Sequence, residues 1–398
     1  MLSRLGYAVI EARRGVVLCL KLTLLTQPLK MRTDFNLSPI RNGGRLMFGE
    51  PAHKDRMYKI PGLFRRHPIV VNTLIAGLSI ALTVCFLEVL FGLLNARKAK
   101  NFSCNYAGLN EPDPELGYKA RPNGVISDNG VENGVPVYSA NYTTNAYGRR
   151  VTPVENREKR HKFLALFGCS YTFGLCVNDD QTLGACIARR APDYMPYNFA
   201  YQGYGPQHML LTLQGPIERE IGEKDGIGIY VFLMFHVDRV IGGMNCLNRW
   251  AWGFPCYYLD GDELKRNGSF ATAHPWRIKV FRLFGKSQTL KYFNFSWPLW
   301  IRSADARLTA RIIKEAETVF HQKWPNSPFY VLLYPDEFSL RLVHYIRPYL
   351  DEYDIKYVEC PDVFEGRVPL ELQAVYGGHP SAIANEVLAE KIVGMLGL

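Results

Sequence analysis

The sequence predicts an α/β protein: a three-layer α/β/α sandwich around a mainly parallel sheet, preceded by one transmembrane helix and a small β-rich segment. Three observations predict it. From residue 161 onward, short apolar runs that read as strands alternate with helical stretches, the order that builds right-handed βαβ units and covers both faces of a parallel sheet. Ile69 to Leu87 is 19 residues without a charge, close to the roughly 20 that cross a bilayer. Residues 101–160 are rich in Asn, Gly, Pro and Tyr, with β-prone runs such as Val135 to Thr144 and no long helical pattern, which reads as turns and short strands.

The 398-residue chain is 47% hydrophobic and 21% charged, the balance of a globular protein. Its net charge of +10 is unevenly spread, because residues 1–68 hold 13 Lys and Arg against four acids. That segment is expected to be cytoplasmic and poorly structured. The remainder is close to neutral and has no aromatic–basic signature of a nucleic-acid module, so nucleic acid is not an expected partner. After Glu88 the apolar run resumes, and 69–94 is the expected span. Arg65 and Arg66 precede it within the basic segment and only Arg97, Lys98 and Lys100 follow closely. The positive-inside rule therefore puts the N-terminus in the cytoplasm and the bulk of the chain beyond the inner membrane, in the periplasm or outside. No small-residue cleavage site follows, so the helix reads as a retained single-pass anchor. Met57 begins a basic lead-in of its own to the span and is an expected alternative start.

Seven of the nine cysteines lie beyond the span, where oxidising conditions permit disulfides. Cys246 and Cys256 are the best candidate bridge, Cys176 and Cys186 a weaker one. No cysteine pair has metal-site spacing with nearby histidines, and neither a metal nor a cofactor is expected.

Within 161–398 the elements follow in order. Phe163 to Phe167 reads as a buried strand that breaks at Gly168 and presents Ser170 at the turn. A helix over Gln181 to Arg190 follows, then a short strand over Tyr197 to Tyr201, the turn Gln202-Gly203-Tyr204-Gly205-Pro206, and a helix from Gln207 to about Ile221. Gly228 to Phe235 is a fully apolar third strand, ending at His236-Val-Asp238-Arg239. Residues 242–300 show no clear period and read as an aromatic insertion. Arg302 to Gln322 is a helix, Phe329 to Tyr334 a strand stopped by Pro335, Leu340 to Tyr353 a helix and Ile355 to Val358 a strand. The last helix, Ala382 to Leu396, is introduced by His379-Pro380-Ser381.

A hydroxyl at the end of such a strand faces the crevice where open α/β sheets bind ligands. Gly-x-Ser alone is also ordinary turn chemistry, and Thr172 stands where the elbow of α/β-hydrolases has its second glycine. A serine becomes a nucleophile only when a base removes its proton, which histidine does near neutral pH. Ser170 and His379 are the candidate pair.

Together, Gly168-Cys-Ser170-Tyr-Thr-Phe-Gly174, Asn198 with Gly203-Tyr-Gly205, the polar cluster after the third strand and His379-Pro380-Ser381 resemble the blocks of the SGNH (GDSL-type) hydrolases. The resemblance covers roughly 161–398. Upstream, Asp113-Pro-Glu-Leu-Gly-Tyr118 and Asn145-Ala-Tyr-Gly148-Arg149 resemble the lead-in of membrane-anchored bacterial members. It implies an SGNH or flavodoxin-like sandwich, with Ser170 as nucleophile and His379 as base and then acid. The oxyanion donors it implies are the backbone N–H groups of Ser170 and Gly203 and a side chain after the third strand. Two positions depart from the pattern. The expected block-three asparagine is absent, and His236 stands in its place, either as the expected donor or as a polar strand end, with Asp238 and Arg239 alternatively paired with each other. The aspartate three residues before the histidine is here Tyr376. Either a backbone carbonyl orients His379, giving a dyad, or a distant carboxylate does, Asp238 or Asp362. The implied function is a membrane-anchored serine esterase or O-acyltransferase acting on an acylated small molecule or on acyl esters of envelope or secreted glycans. The alternative is a catalytically weak or inactive glycan-binding or assembly protein of the same fold. Trp250, Trp252, Phe254, Tyr257 and Tyr258 in the insertion, with Trp297 and Trp300 later, read equally as sugar-stacking residues or as the core of a lid.

Overall fold

The computed structural model describes residues 67–98 and 100–398. The basic segment before His67, and with it the alternative start at Met57, lies outside them. The described chain opens with helix α1 (Pro68–Lys98). Residues 102–143 then form five short strands, β1 (Phe102–Ser103), β2 (Asn110–Asp113), β3 (Gly117–Ala120), β4 (Val125–Glu132) and β5 (Val135–Thr143). β1, β4 and β5 make one antiparallel sheet and β2–β3 a hairpin. Asp128 is fully buried in this segment. A buried carboxylate is tolerable only when it is hydrogen-bonded; here Asn105 N, Tyr106 N and the hydroxyls of Tyr138 and Tyr142 all donate to it at 2.6–3.0 Å.

The sandwich is built from β6 (Lys162–Phe167), α2 (Ser170–Phe173), α3 (Leu183–Arg190), β7 (Tyr194–Asn198), α4 (Pro206–Gln214), β8 (Asp225–Phe232) and α5 (Phe235–Ile241). The insertion adds α6 (Met244–Leu247), β9 (Pro255–Asp260), β10 (Glu263–Ser269), α7 (Phe270–Ala273), α8 (Pro275–Phe284) and α9 (Gln288–Tyr292). The chain closes with α10 (Ser303–Lys323), β11 (Phe329–Leu333), α11 (Glu337–Leu342), α12 (Arg347–Glu352), β12 (Tyr357–Glu359), α13 (Leu370–Gln373) and α14 (Ala382–Leu396). Five strands form one parallel sheet in the order β12-β11-β8-β6-β7. Alternation along β6 sends Phe163, Ala165 and Phe167 to one face and Leu164 and Leu166 to the other. The first set packs with Met209 and Leu213 of α4 and Ile313 and Phe320 of α10. The second packs with Ile187 of α3 and Leu388 of α14. Numbered within the sheet, the order is 2-1-3-4-5, and its switch point lies between β6 and β8, where ligands bind in such sheets.

Several elements differ from expectation. The second strand runs three residues earlier, and β8 stops at Phe232 so that α5 can begin at Phe235. The helix expected over 340–353 is divided, with Pro348 in the first turn of α12, where its missing N–H costs nothing. The insertion is not irregular: β9 and β10 pair as a hairpin around Gly261, and Leu247, Phe254, Phe270 and Phe281 bury a small core of their own. Cys246 and Cys256 remain thiols, as do Cys176 and Cys186. Cys246 is turned instead toward the carboxylate of Asp238, at 3.2 Å.

The described chain divides into two compact units, one ending at Arg97 and including Gln288–Asn294, the other holding Lys98–Ser287 and Phe295–Leu398. In the first, Ile69–Lys98 is long and apolar enough to cross a membrane: its most apolar 18 residues have a mean hydropathy of 2.4, and 0% of them is buried. The segment Gln288–Asn294 rests on its last turns, where Glu88 accepts from the backbone N–H of Gln288 (2.6 Å) and Thr289 (3.2 Å).

Candidate active site

Ser170 is the first residue of α2, directly beyond β6 at the switch point. The turn that puts it there needs glycine at 168. Its φ is +155°, and a Cβ would lie 2.2 Å from Thr172 Oγ1. As the first residue of a helix, Ser170 has no intrahelical acceptor for its own N–H. Asn198, at the end of β7, donates from Nδ2 to the Thr172 carbonyl (2.9 Å) and accepts from Ala200 N (3.1 Å), tying α2 to the neighbouring strand.

The loop beyond α2 is braced from outside the sandwich. Arg150, buried at 2% exposure, donates to the carbonyls of Phe173 (3.1 Å), Gly174 (3.0 Å) and Val177 (2.9 Å) and to Asp179 (2.6 Å). The sequence reading passed over it, and an isolated arginine carries no signal of burial.

His379 comes from the loop before α14. Its Nε2 is 2.9 Å from Ser170 Oγ, and its Nδ1 is 2.8 Å from the Tyr376 carbonyl. A carbonyl only accepts, so Nδ1 carries the proton and Nε2 turns its lone pair to the serine. The Tyr376 ring lies flat on Phe102, centroids 3.7 Å apart and 6° between planes, which fixes that carbonyl. Burial holds the imidazole below its ordinary pKa and the Arg239 charge adds to this, while the hydrogen bond to Tyr376 opposes both. The ring is therefore neutral and able to accept a proton at neutral pH.

Of the two ways of orienting His379 that the sequence left open, the structure has the carbonyl. Neither Asp238 nor Asp362 occupies that position. Asp238 accepts from the Cys246 thiol, and burial raises its pKa. Asp362 lies exposed in the loop after β12.

Ser170, His379, Gly203 and Arg239 line one crevice of about 600 Å³, walled by Tyr106, Tyr118, Trp250 and Trp252. A hollow of about 770 Å³ beside Arg160 and Asp193 is larger but holds neither Ser170 nor His379. Gly203 has φ +76°, and a Cβ there would meet the Tyr118 hydroxyl at 2.2 Å and Trp250 Nε1 at 3.0 Å. Only glycine lets the backbone come that close. Trp250 Nε1 is buried with no hydrogen-bond partner among the described residues.

The structure does not bring His236 to this crevice. It is fully buried, with Nδ1 2.8 Å from the Tyr230 hydroxyl. Because β8 ends three residues early, His236 falls on the second residue of α5 and turns into the core. Arg239, one turn on, reaches the crevice instead, and its guanidinium donates to the Tyr204 carbonyl at 2.5 Å.

No family model matches the chain, and no curated protein matches it. Solved structures do resemble it. One is a member of the lipolytic protein G-D-S-L family from Veillonella parvula, 12% identical over 59% of this chain and 98% of that one, with a TM-score of 0.35. Another is the lipase/acylhydrolase from Enterococcus faecalis, 14% identical over 59% and 95%, with a TM-score of 0.32. A third is a catalytic mutant of an acetylxylan esterase from Geobacillus stearothermophilus, 7% identical over 60% and 95%, with a TM-score of 0.34. The likeness is to GDSL-type hydrolases. At these identities it assigns no residue a role.

Proposed function

We propose that the chain is a membrane-anchored serine esterase or O-acyltransferase that works through an acyl-enzyme on Ser170. The observation that carries this reading is the Ser170–His379 pair. A hydroxyl lies 2.9 Å from an imidazole nitrogen whose partner nitrogen is committed to a carbonyl, at the open end of a parallel sheet. In the first half-reaction Ser170 Oγ bonds to the ester carbonyl carbon as its proton passes to His379 Nε2. The carbonyl oxygen becomes an oxyanion, for which the backbone N–H groups of Ser170 and Gly203 are the donors at hand. The intermediate collapses, the alcohol leaves with the proton from His379, and the acyl group stays on Ser170. Water or a sugar hydroxyl then gives its proton to His379 and bonds to the acyl carbon, and His379 returns that proton to Ser170 Oγ as the serine–acyl bond breaks. The two outcomes differ only in that acceptor.

The crevice walls favour a sugar-bearing substrate, because Tyr106, Tyr118, Trp250 and Trp252 offer flat apolar faces with polar edges, suited to a glycan ring. Helix α1 is the anchor, its N-terminal side cytoplasmic and the sandwich beyond the inner membrane. The test is fluorophosphonate labelling of the full chain in detergent. Labelling of wild type and none of Ser170→Ala or His379→Ala is the expected result. A folded wild-type chain that takes no label overturns the enzyme reading in favour of a glycan-binding or assembly protein.

A further inference from the structure

Helix α8 (Pro275–Phe284) has two apolar faces. Ile278 and Phe281 are buried in the core of the insertion, yet Trp276, Val280, Leu283 and Phe284 are exposed at 74%, 45%, 66% and 43%. Their spacing of four, three and one residues puts all four on one stripe. Cations border it: Lys279 Nζ lies 4.4 Å from the centre of the Trp276 ring, and Arg282 and Lys286 follow. Exposed apolar stripes of this kind mark interaction surfaces. Tryptophan and bulky aliphatics beside Lys and Arg are the composition of a helix lying in a lipid headgroup layer.

Chain continuity indicates what covers this stripe. Three residues beyond α8 begins Gln288–Asn294, which rests on the end of α1. Glu88 accepts from the N–H groups of Gln288 and Thr289, Asn95 Nδ2 donates to the Gln288 carbonyl (2.9 Å), and Phe91 packs on Tyr292 and Phe293 with ring centroids 4.6 and 5.1 Å away. The uncharged stretch Ile69 to Leu87 is about 28 Å long at 1.5 Å per residue, close to the roughly 30 Å of a bilayer's hydrocarbon core. Glu88, the first charge, and the last turns of the span up to Leu94 then fall at the hydrocarbon–headgroup boundary, and residues 288–294, which rest on them, fall there too. The chain between Phe284 and Gln288 extends at most about 14 Å, so the end of α8 is tethered near that boundary.

We propose that α8 lies in the headgroup layer of the bilayer that α1 crosses, with Trp276, Val280, Leu283 and Phe284 turned into lipid and Lys279 and Arg282 among the phosphates. The proposal rests on the reading of α1 as a span. It gives the chain two attachments to one leaflet.

The experiment uses the full chain in nanodiscs of phosphatidylcholine with a minority of phosphatidylglycerol, brominated in the upper half of the acyl chains, with tryptophan fluorescence as the readout. Trp276→Phe is expected to remove most of the quenching by brominated lipid, because Trp276 alone of the six tryptophans is placed in lipid. Leu283→Glu with Phe284→Glu is expected to remove a similar share while far-ultraviolet circular dichroism stays unchanged. Quenching that is the same in wild type and Trp276→Phe overturns the proposal. So does a Trp276 shielded from both brominated lipid and aqueous acrylamide, which assigns the stripe to a second copy of the chain. Alkaline carbonate extraction of native membranes separates the two readings. A chain that resists extraction while Trp276 goes unquenched sinks the α8 proposal alone, whereas a chain released into the aqueous fraction sinks both.

Discussion

Replacing Gly203 with alanine tests whether its backbone N–H serves the reacting carbonyl. Its φ of +76° lies in the left-handed region, which costs a non-glycine residue about 1–2 kcal/mol. The added Cβ would lie 2.2 Å from the Tyr118 hydroxyl, closer than any real contact. Either Tyr118 gives up its hydrogen bond to the Gln202 carbonyl (3.0 Å), a loss of about 1 kcal/mol, or the backbone at 202–204 moves. The total of about 2–3 kcal/mol is bearable beside a domain stability of about 5–15 kcal/mol, so the variant folds. A small backbone shift still takes the N–H off the oxyanion, and losing one such donor lowers kcat about 10²–10³-fold. KM changes little, because the interaction forms in the transition state. The assay is hydrolysis of p-nitrophenyl acetate by the full chain in detergent, with circular dichroism and thermal melting alongside. Tyr118→Phe added to Gly203→Ala removes the clashing atom, and the double variant is expected to recover part of the loss. A folded Gly203→Ala with wild-type kcat refutes the placement of Gly203 in the oxyanion hole.

Three further outcomes follow from the electrostatics and the core. In the proposed mechanism the neutral imidazole is the base, so kcat/KM is expected to rise with pH through the His379 pKa, with its half-maximum below the ordinary 6.5. Removing a nearby positive charge makes protonation easier, so Arg239→Gln is expected to move that acidic limb upward, toward 6.5 but not fully, since burial is the larger cause. Coincident limbs in the two pH–rate profiles refute the coupling. His236→Ala leaves the buried Tyr230 hydroxyl without its partner, for a stability loss of about 1–3 kcal/mol in denaturant titration. Turnover per folded molecule is expected to stay close to wild type, and a fall of about 10²-fold would return His236 to the oxyanion hole.

What was legible in the sequence was local. The apolar run into Gly168 and Ser170, and the His-Pro-Ser entry to α14, each depend on residues adjacent in the chain, and the structure brings Ser170 and His379 together. That α1 is long and apolar enough to cross a membrane is a matter of length and charge alone. What was illegible depended on registers and on backbone groups. The difference between His236 and Arg239 follows from where β8 ends, and a shift of three residues in that boundary decides which side chain enters the crevice. The group that orients His379 belongs to Tyr376, the position where an aspartate was sought. It acts through its carbonyl, which every residue has and no side-chain pattern reveals. The insertion is made of one hairpin and separate helices of four to ten residues, which give no sustained period along 242–300, although Gly261-Asp262 at the tip of the β9–β10 hairpin is a recognisable turn pair.

The grip of Arg150 on the carbonyls of Phe173, Gly174 and Val177 bears on how this protein can be cut and recombined. The guanidinium comes from the stretch that precedes the first strand of the sandwich, and the loop it holds follows the serine. A chain trimmed to the sandwich would keep both Ser170 and His379, yet leave three buried carbonyls and Asp179 without their donor. The lead-in is thus more than a connection between α1 and the sandwich. Grafts, truncations and chimaeras of this protein have to carry it along with the sandwich, as a single inherited piece.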